Sequence, residues 1–189
     1  GAYKINNQEY VNYDLKNNFL GDVLNINLNF EFKNKIKIDI INYNKDENKT
    51  GKIVLNFTKN KKNIYFKKIE YTENKNIISI DKLKINEGKL ISFKKIKVTT
   101  FNRSKLNNDF SILFDKKIII KGKKYDALNL NKILTNQTTT NPFKKINKQI
   151  DIDFKDVLTP LSKKIINFKL IGVLEKGKFV KISSKGDFG

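Results

Sequence analysis

The sequence predicts a mainly β protein: an antiparallel, meandering, strongly curved sheet, built as a β-groove or sandwich-like, with one short α-helix near 126–135. Three features predict it. Apolar and polar side chains alternate with period two over long runs, polar turn clusters separate those runs, and only one stretch carries a helical pattern.

The alternation is clearest where Ile26, Leu28, Phe30 and Phe32 interleave with Asn27, Asn29 and Glu31. After the turn-like Lys33-Asn34-Lys35 it resumes with Ile36, Ile38 and Ile40 against Lys37 and Asp39. Further strands are expected at 53–58, 64–71, 77–85, 90–99, 110–114 and 117–121, divided by clusters such as Asn44-Lys45-Asp46-Glu47-Asn48 and Thr72-Glu73-Asn74-Lys75-Asn76. Gly122 is expected to close a strand, and Asp126 to cap a helix whose face carries Ala127, Leu130, Ile133 and Leu134. The polar run from Thr135 to Pro142 reads as a hinge. Alternation returns at Ile150, Ile152 and Phe154, then gives way to a corner at 157–161 and a hairpin around Glu175-Lys176-Gly177. The chain is thus divided into a β module over 1–134 ending in the short helix, a hinge over 135–148, and C-terminal strands over 149–189 that continue the sheet.

The 189-residue chain has 39 Lys and Arg against 19 Asp and Glu, a formal charge of +20. Arg103 is the one arginine. Bidentate reading of bases and phosphates relies on the arginine fork, which lysine does not reproduce. The lysines are also spread along the chain, and Lys, Asn and Ile share A/T-rich codons. No nucleic-acid partner is therefore expected; a solvated cationic surface with some affinity for anionic membranes is.

Cys, His, Met and Trp are all absent from the chain. That removes disulfides, thiolate or imidazole metal sites, and the usual nucleophile–histidine triads. The matches Ser79 to Lys82 and Ser92 to Lys95 lie in strand patterns, where residues three apart face opposite ways. Asp151 with Asp153, and Asp46 with Glu47, read as solvated carboxylates among lysines. No catalytic residue, metal or cofactor is expected, and the chain is read as a non-enzyme.

One helix cannot cover so many one-sided strands. Their apolar faces must meet in a sandwich, curl into a barrel, or line a groove for an apolar ligand.

The stretch Ile118-Ile119-Ile120-Lys121-Gly122-Lys123-Lys124-Tyr125-Asp126-Ala127-Leu128, with Leu130 and Ile133-Leu134 after it, resembles the strand-Gly-x-x-x-Asp-Ala-helix element of the AsmA-like superfamily (YhdP/TamB-like). The segment from Ile150-Asp151-Ile152-Asp153-Phe154 to Lys185-Gly186-Asp187-Phe188-Gly189 is similar to the strands and hairpin that come after that element in the family. The family is arginine-rich where this chain carries lysine. The resemblance implies a fragment of a periplasmic protein anchored to the inner membrane, whose curved sheet carries phospholipid tails toward the outer membrane along an apolar groove. Ile26, Leu28, Phe30, Phe32, Ile36, Ile38, Ile40, Ile152 and Phe154 are then the expected lipid contacts, with Gly122 and Asp126 serving the fold. Phospholipid or another acyl-chain ligand is the expected partner, with the membrane reached through parts outside the fragment and an edge-to-edge dimer as a further association. A lipopolysaccharide-transport jellyroll, a basic polyanion-binding β domain and a structural surface module are the alternatives. The expected helix argues against the jellyroll.

Overall fold

A computed structural model describes residues 1–4, 10–130, 146–161, 163–176 and 178–188. In chain order its first strands are β1 (Ala2–Tyr3), β2 (Val11–Leu20), β3 (Val23–Phe32), β4 (Ile36–Ile38), β5 (Tyr43–Lys45), β6 (Gly51–Asn60), β7 (Asn63–Glu73) and β8 (Asn76–Asn86). Then come β9 (Lys89–Ser92), β10 (Lys95–Asn102), β11 (Lys105–Phe114), β12 (Ile118–Asp126), β13 (Lys148–Leu158), β14 (Lys164–Glu175) and β15 (Lys178–Phe188). The protein is mainly β, as the alternation predicts. The chain divides into two compact units, the first comprising Gly1–Ile36 and Asn44–Ile96, the second Lys37–Tyr43 and Lys97–Gly189.

Unit 1 is an antiparallel sheet in the order β1-β2-β3-β6-β7-β8, with β9 also paired to β8. Two-residue turns at Gly21-Asp22 and Lys61-Lys62 join neighbouring strands; Gly21 (φ 58°) and Lys61 (φ 49°) take the left-handed backbone that tight hairpins require. Rings step across this sheet: Tyr3 lies 6.3 Å from Phe30, Phe30 6.0 Å from Phe32, and Phe32 6.0 Å from Tyr71. Such pairs each add about 0.5–1.5 kcal/mol beyond the area they bury. Lys45 is fully buried above Phe32, its Nζ 5.0 Å from the ring centre and donating to the carbonyls of Asn34 (2.8 Å) and Asp46 (3.1 Å). Burial pushes its pKa down, while Glu73, Asp46 and Glu47 pull it back.

Unit 2 runs in the order β10-β11-β12-β13-β14-β15. It departs from the expected all-antiparallel meander, because β12 and β13 pair in parallel. A parallel pair needs a crossover connection rather than a hairpin, and alternation alone does not reveal strand direction. In neither unit do the first and last strands of the order pair with each other among the described residues.

A cluster of polar side chains ties residues 39–42 into unit 2. Asn108 donates to the Ile41 carbonyl (2.6 Å) and to Thr100 Oγ1 (2.8 Å), and its own Oδ1 accepts the Asp126 amide (2.9 Å). Asn42 donates to Asp126 Oδ2 (2.9 Å), Thr100 to Asn107 Oδ1 (2.8 Å), and Tyr125 to the Ile40 carbonyl (2.8 Å).

Four further expectations are corrected. The helix near 126–135 is not seen among the described residues: Asp126 ends β12, its Oδ1 accepts the Leu128 amide (3.2 Å), and a turn reaches Leu130. The rest of that stretch, and most of the 135–148 hinge, lie outside the described residues. Gly122 does not terminate a strand but sits inside β12, opposite an irregularity between Asp109 and Phe110. A Cβ there would collide with the Asp109 carbonyl and with Phe110, so glycine permits close strand approach. The alternation through Ile40 breaks, since Asp39–Ile41 form a 3-10 turn and Asn42 turns left-handed at φ 46°. The single strand over 90–99 is two, β9 and β10, interrupted after Ser92.

Gly122→Ala is expected to lower unfolding free energy by about 2 kcal/mol or more in urea melts, since the backbone it would strike cannot move without breaking the ladder. A second expectation concerns alkaline pH. Burial, with Asp126 beside it, raises the Tyr125 phenol to about 12. Its folded pKa lies above the unfolded value of 10.0, so its contribution is complete below pH 10 and is lost as pH rises from 10 through 12. Melts across that range should decline less steeply for Tyr125→Phe than for the native chain.

Candidate functional site: an uncovered apolar sheet face

Directly opposed residues on neighbouring strands share a face, so the registers define what each face carries. In unit 1, Leu28 lies between Leu15 of β2 and Leu55 of β6, and Leu55 opposes Ile69 of β7, itself opposite Ile80 of β8. One row along, Phe30 opposes Tyr13 and Ile53, Ile53 opposes Tyr71, and Tyr71 opposes Ile78. On the other side, Ile26 opposes Phe57, Phe57 opposes Phe66 with rings 5.0 Å apart, and Phe66 opposes Leu83. Further rows bring Leu24 and Ile64 with Ile85 and Leu90 onto the same side. Asn17 and Lys59 are the polar side chains in these rows. The opposite face holds Asn25, Asn27, Asn29, Asn56, Lys68 and Asp81.

Within unit 1 the face is covered at one end, where Phe32 lies under Lys45 of β5 and Tyr71 is buried, and its remaining rows stay half-buried. Ile26, Leu28, Phe30, Ile53, Leu55, Phe57, Ile69 and Ile80 are all half-buried, and Leu15 is 45% exposed. A strand of ten residues is about 33 Å long, and five strands span about 20 Å across. Exposed apolar patches on a monomer are where binding sites are sought, and these rows form a contiguous, partly exposed apolar surface.

Unit 2 treats its apolar face differently. Phe154 is 3% exposed, with its ring 5.4 Å from Tyr125 and 5.7 Å from Phe110. Ile118, Ile150 and Val157 are buried as well. Ile152, between Ile120 and Leu170, stays half-buried. The other face is mixed: Leu113, Ile119 and Ile171 share the row of Asp151, which pairs with Lys117, while Lys164 pairs with Asp156 at 2.9 Å and Lys169 with Asp153 at 3.9 Å.

The sequence-derived residues thus fall into three settings. Ile26, Leu28 and Phe30 lie together on the uncovered face of unit 1, and Phe32 continues their row but is buried under Lys45. Ile152 and Phe154 belong to unit 2. Ile36 and Ile38 sit in β4, which pairs with β5 apart from the strand order of either unit, and Ile40 is 51% exposed in the 3-10 turn. Of the structural pair, Asp126 joins the polar cluster and Gly122 the interior of β12. Sequence reasoning passed over β2, although Val11, Tyr13, Leu15 and Phe19 alternate there. It also left the apolar row of β8 unassigned.

No group of three or more metal-binding side chains occurs among the described residues, and no helix among them is long and apolar enough to cross a membrane. Asp46 and Glu47 are exposed. A hollow of about 500 Å³ lies at the turn end of unit 1, lined by Thr58, Asn60, Asn63, Tyr65, Lys84 and Ile91 among others. Compared with family models, curated proteins and solved structures, the chain matches none.

The contrast between units gives a direct test. Leu28→Asp, on the uncovered face, should keep native strand content by far-UV circular dichroism and lose less than about 2 kcal/mol. Phe154→Asp should unfold unit 2, because it buries a carboxylate with no partner.

Proposed function

We propose that the chain is a non-enzymatic lipid-binding and transfer module of a periplasmic bridge protein, resembling the AsmA-like superfamily, with the uncovered face of unit 1 holding acyl chains. The observation that carries this reading is the apolar row from Leu15 through Leu28, Leu55 and Ile69 to Ile80, unbroken by polar side chains and only half-buried. An acyl chain suits such a surface because it demands no hydrogen bonds and about 20 Å of length, close to the span of the five strands. A peptide strand laid on the face would bring backbone groups that find no partners there. Contacts would be dispersed, with Ile26, Leu28 and Phe30 among them. Strong curvature of the sheet, anchoring to the inner membrane and a role in envelope biogenesis belong to the same proposal.

Native mass spectrometry of protein purified from cells without detergent should show a phospholipid-sized adduct, and a photoactivatable phospholipid should crosslink to unit 1. Leu28→Asp should reduce crosslinking about tenfold with the fold retained, since a charge on an apolar surface costs at least the corresponding 1.4 kcal/mol on lipid contact. Unchanged crosslinking in that folded variant would remove the reading.

A further inference from the structure

We propose that the end of unit 1 where its strands turn at Gly21-Asp22, Lys61-Lys62 and Glu87-Gly88 docks on an anionic lipid bilayer. The proposal does not depend on whether the apolar face carries lipid. The registers bring these turns to one end: Leu20 opposes Val23, Leu24 opposes Lys59, Asn60 opposes Asn63, Asn63 opposes Asn86, and Asn86 opposes Lys89. That end carries Lys59, Lys61, Lys62, Lys84 and Lys89 against only two acids, Asp22 and Glu87, and Glu87 is paired with Lys62 at 2.8 Å. At the opposite end of the same strands Lys33, Lys35, Lys45, Lys49, Lys52 and Lys75 stand with Glu31, Asp46, Glu47 and Glu73, so both ends are basic, and what sets the turn end apart is the apolar tip beside its lysines.

Beside these lysines are two of the most exposed large apolar side chains of the unit, Phe19 at 72% and Leu20 at 74%. They stand at the last two positions of β2, before the Gly21-Asp22 turn, where neighbouring strands cannot shield them. Apolar side chains at a hairpin tip flanked by lysines match a bilayer interface: the tip enters the acyl boundary while the ammonium groups meet lipid phosphates. Nucleic acid would account for the lysines and could stack a base on Phe19, but it gives no role to Leu20, which at 74% exposure offers no stacking face, and the one arginine lies outside unit 1.

The chain has no tryptophan, so Leu20→Trp places a sole reporter at the tip. Its emission should shift to the blue with vesicles of equimolar phosphatidylglycerol and phosphatidylcholine, and stay unchanged with phosphatidylcholine alone. Binding should weaken as salt rises. Replacing Lys59→Gln, Lys61→Asn and Lys89→Gln together should weaken partitioning about a hundredfold, about fivefold per lysine. Removing the same charge at the other end, by Lys33→Gln, Lys35→Gln and Lys75→Gln, should cost far less. Phe19→Ser should weaken binding with circular dichroism unchanged. Equal losses from the two lysine sets, or equal binding to neutral vesicles, overturn the proposal. So does binding to duplex DNA that depends on the tip lysines without vesicle binding, which would assign this end to nucleic acid. Failure here would leave lipid crosslinking to the apolar face unaffected, so the two readings fail separately.

Discussion

A sheet with one apolar face must cover that face or leave it to a ligand, and this constraint governs both units. In unit 1 the apolar rows run from β2 to β8 with little interruption, and they are sealed only at the end where Lys45 lies over Phe32. Its side chains shield one another laterally, which holds most of them at half burial instead of the near-complete burial of a two-layer core. The ring series from Tyr3 to Tyr71 and the buried Lys45 firm up one end of this sheet. Lys45 is tolerated there because two carbonyls and the face of Phe32 replace part of its hydration.

Unit 2 meets the same constraint by closing part of its face. Phe110, Tyr125 and Phe154 pack edge-to-face and stacked. The 39–42 segment is fastened by Thr100, Asn107, Asn108 and Asp126, whose polar groups are buried but answered by hydrogen bonds. A buried network of that kind specifies one arrangement, since leaving any member unpaired costs more than the bond itself contributes. The difference between the units is one of burial: Phe154 is core, whereas Leu28 stays half-buried.

The lysine excess is not uniform in its consequences. In unit 2, lysines meet Asp151, Asp153 and Asp156 in partly exposed pairs that add little stability. At the turn end of unit 1 they are in excess over the acids and stand beside Phe19 and Leu20. Composition alone cannot make that distinction, because it depends on which turns the registers bring together.

The sequence by itself determined that the protein is mainly β, which side chains share a strand face, and that ordinary histidine or cysteine chemistry is unavailable. Period-two alternation is a local property, so it was enough to place Ile26, Leu28 and Phe30 on one face. Only the tertiary structure decided that β12 and β13 run parallel, that Gly122 lies within a strand, and that Ile36, Ile38 and Ile40 leave the main sheets. It also decided which apolar residues are sealed, as Phe32 and Phe154 are, and which stay open. Those outcomes depend on partners distant in sequence: Asp109 and Phe110 against Gly122, Ile41 against Asn108, Lys45 over Phe32. An alternating pattern says which way a side chain points along its strand; what it meets there is set by the rest of the chain.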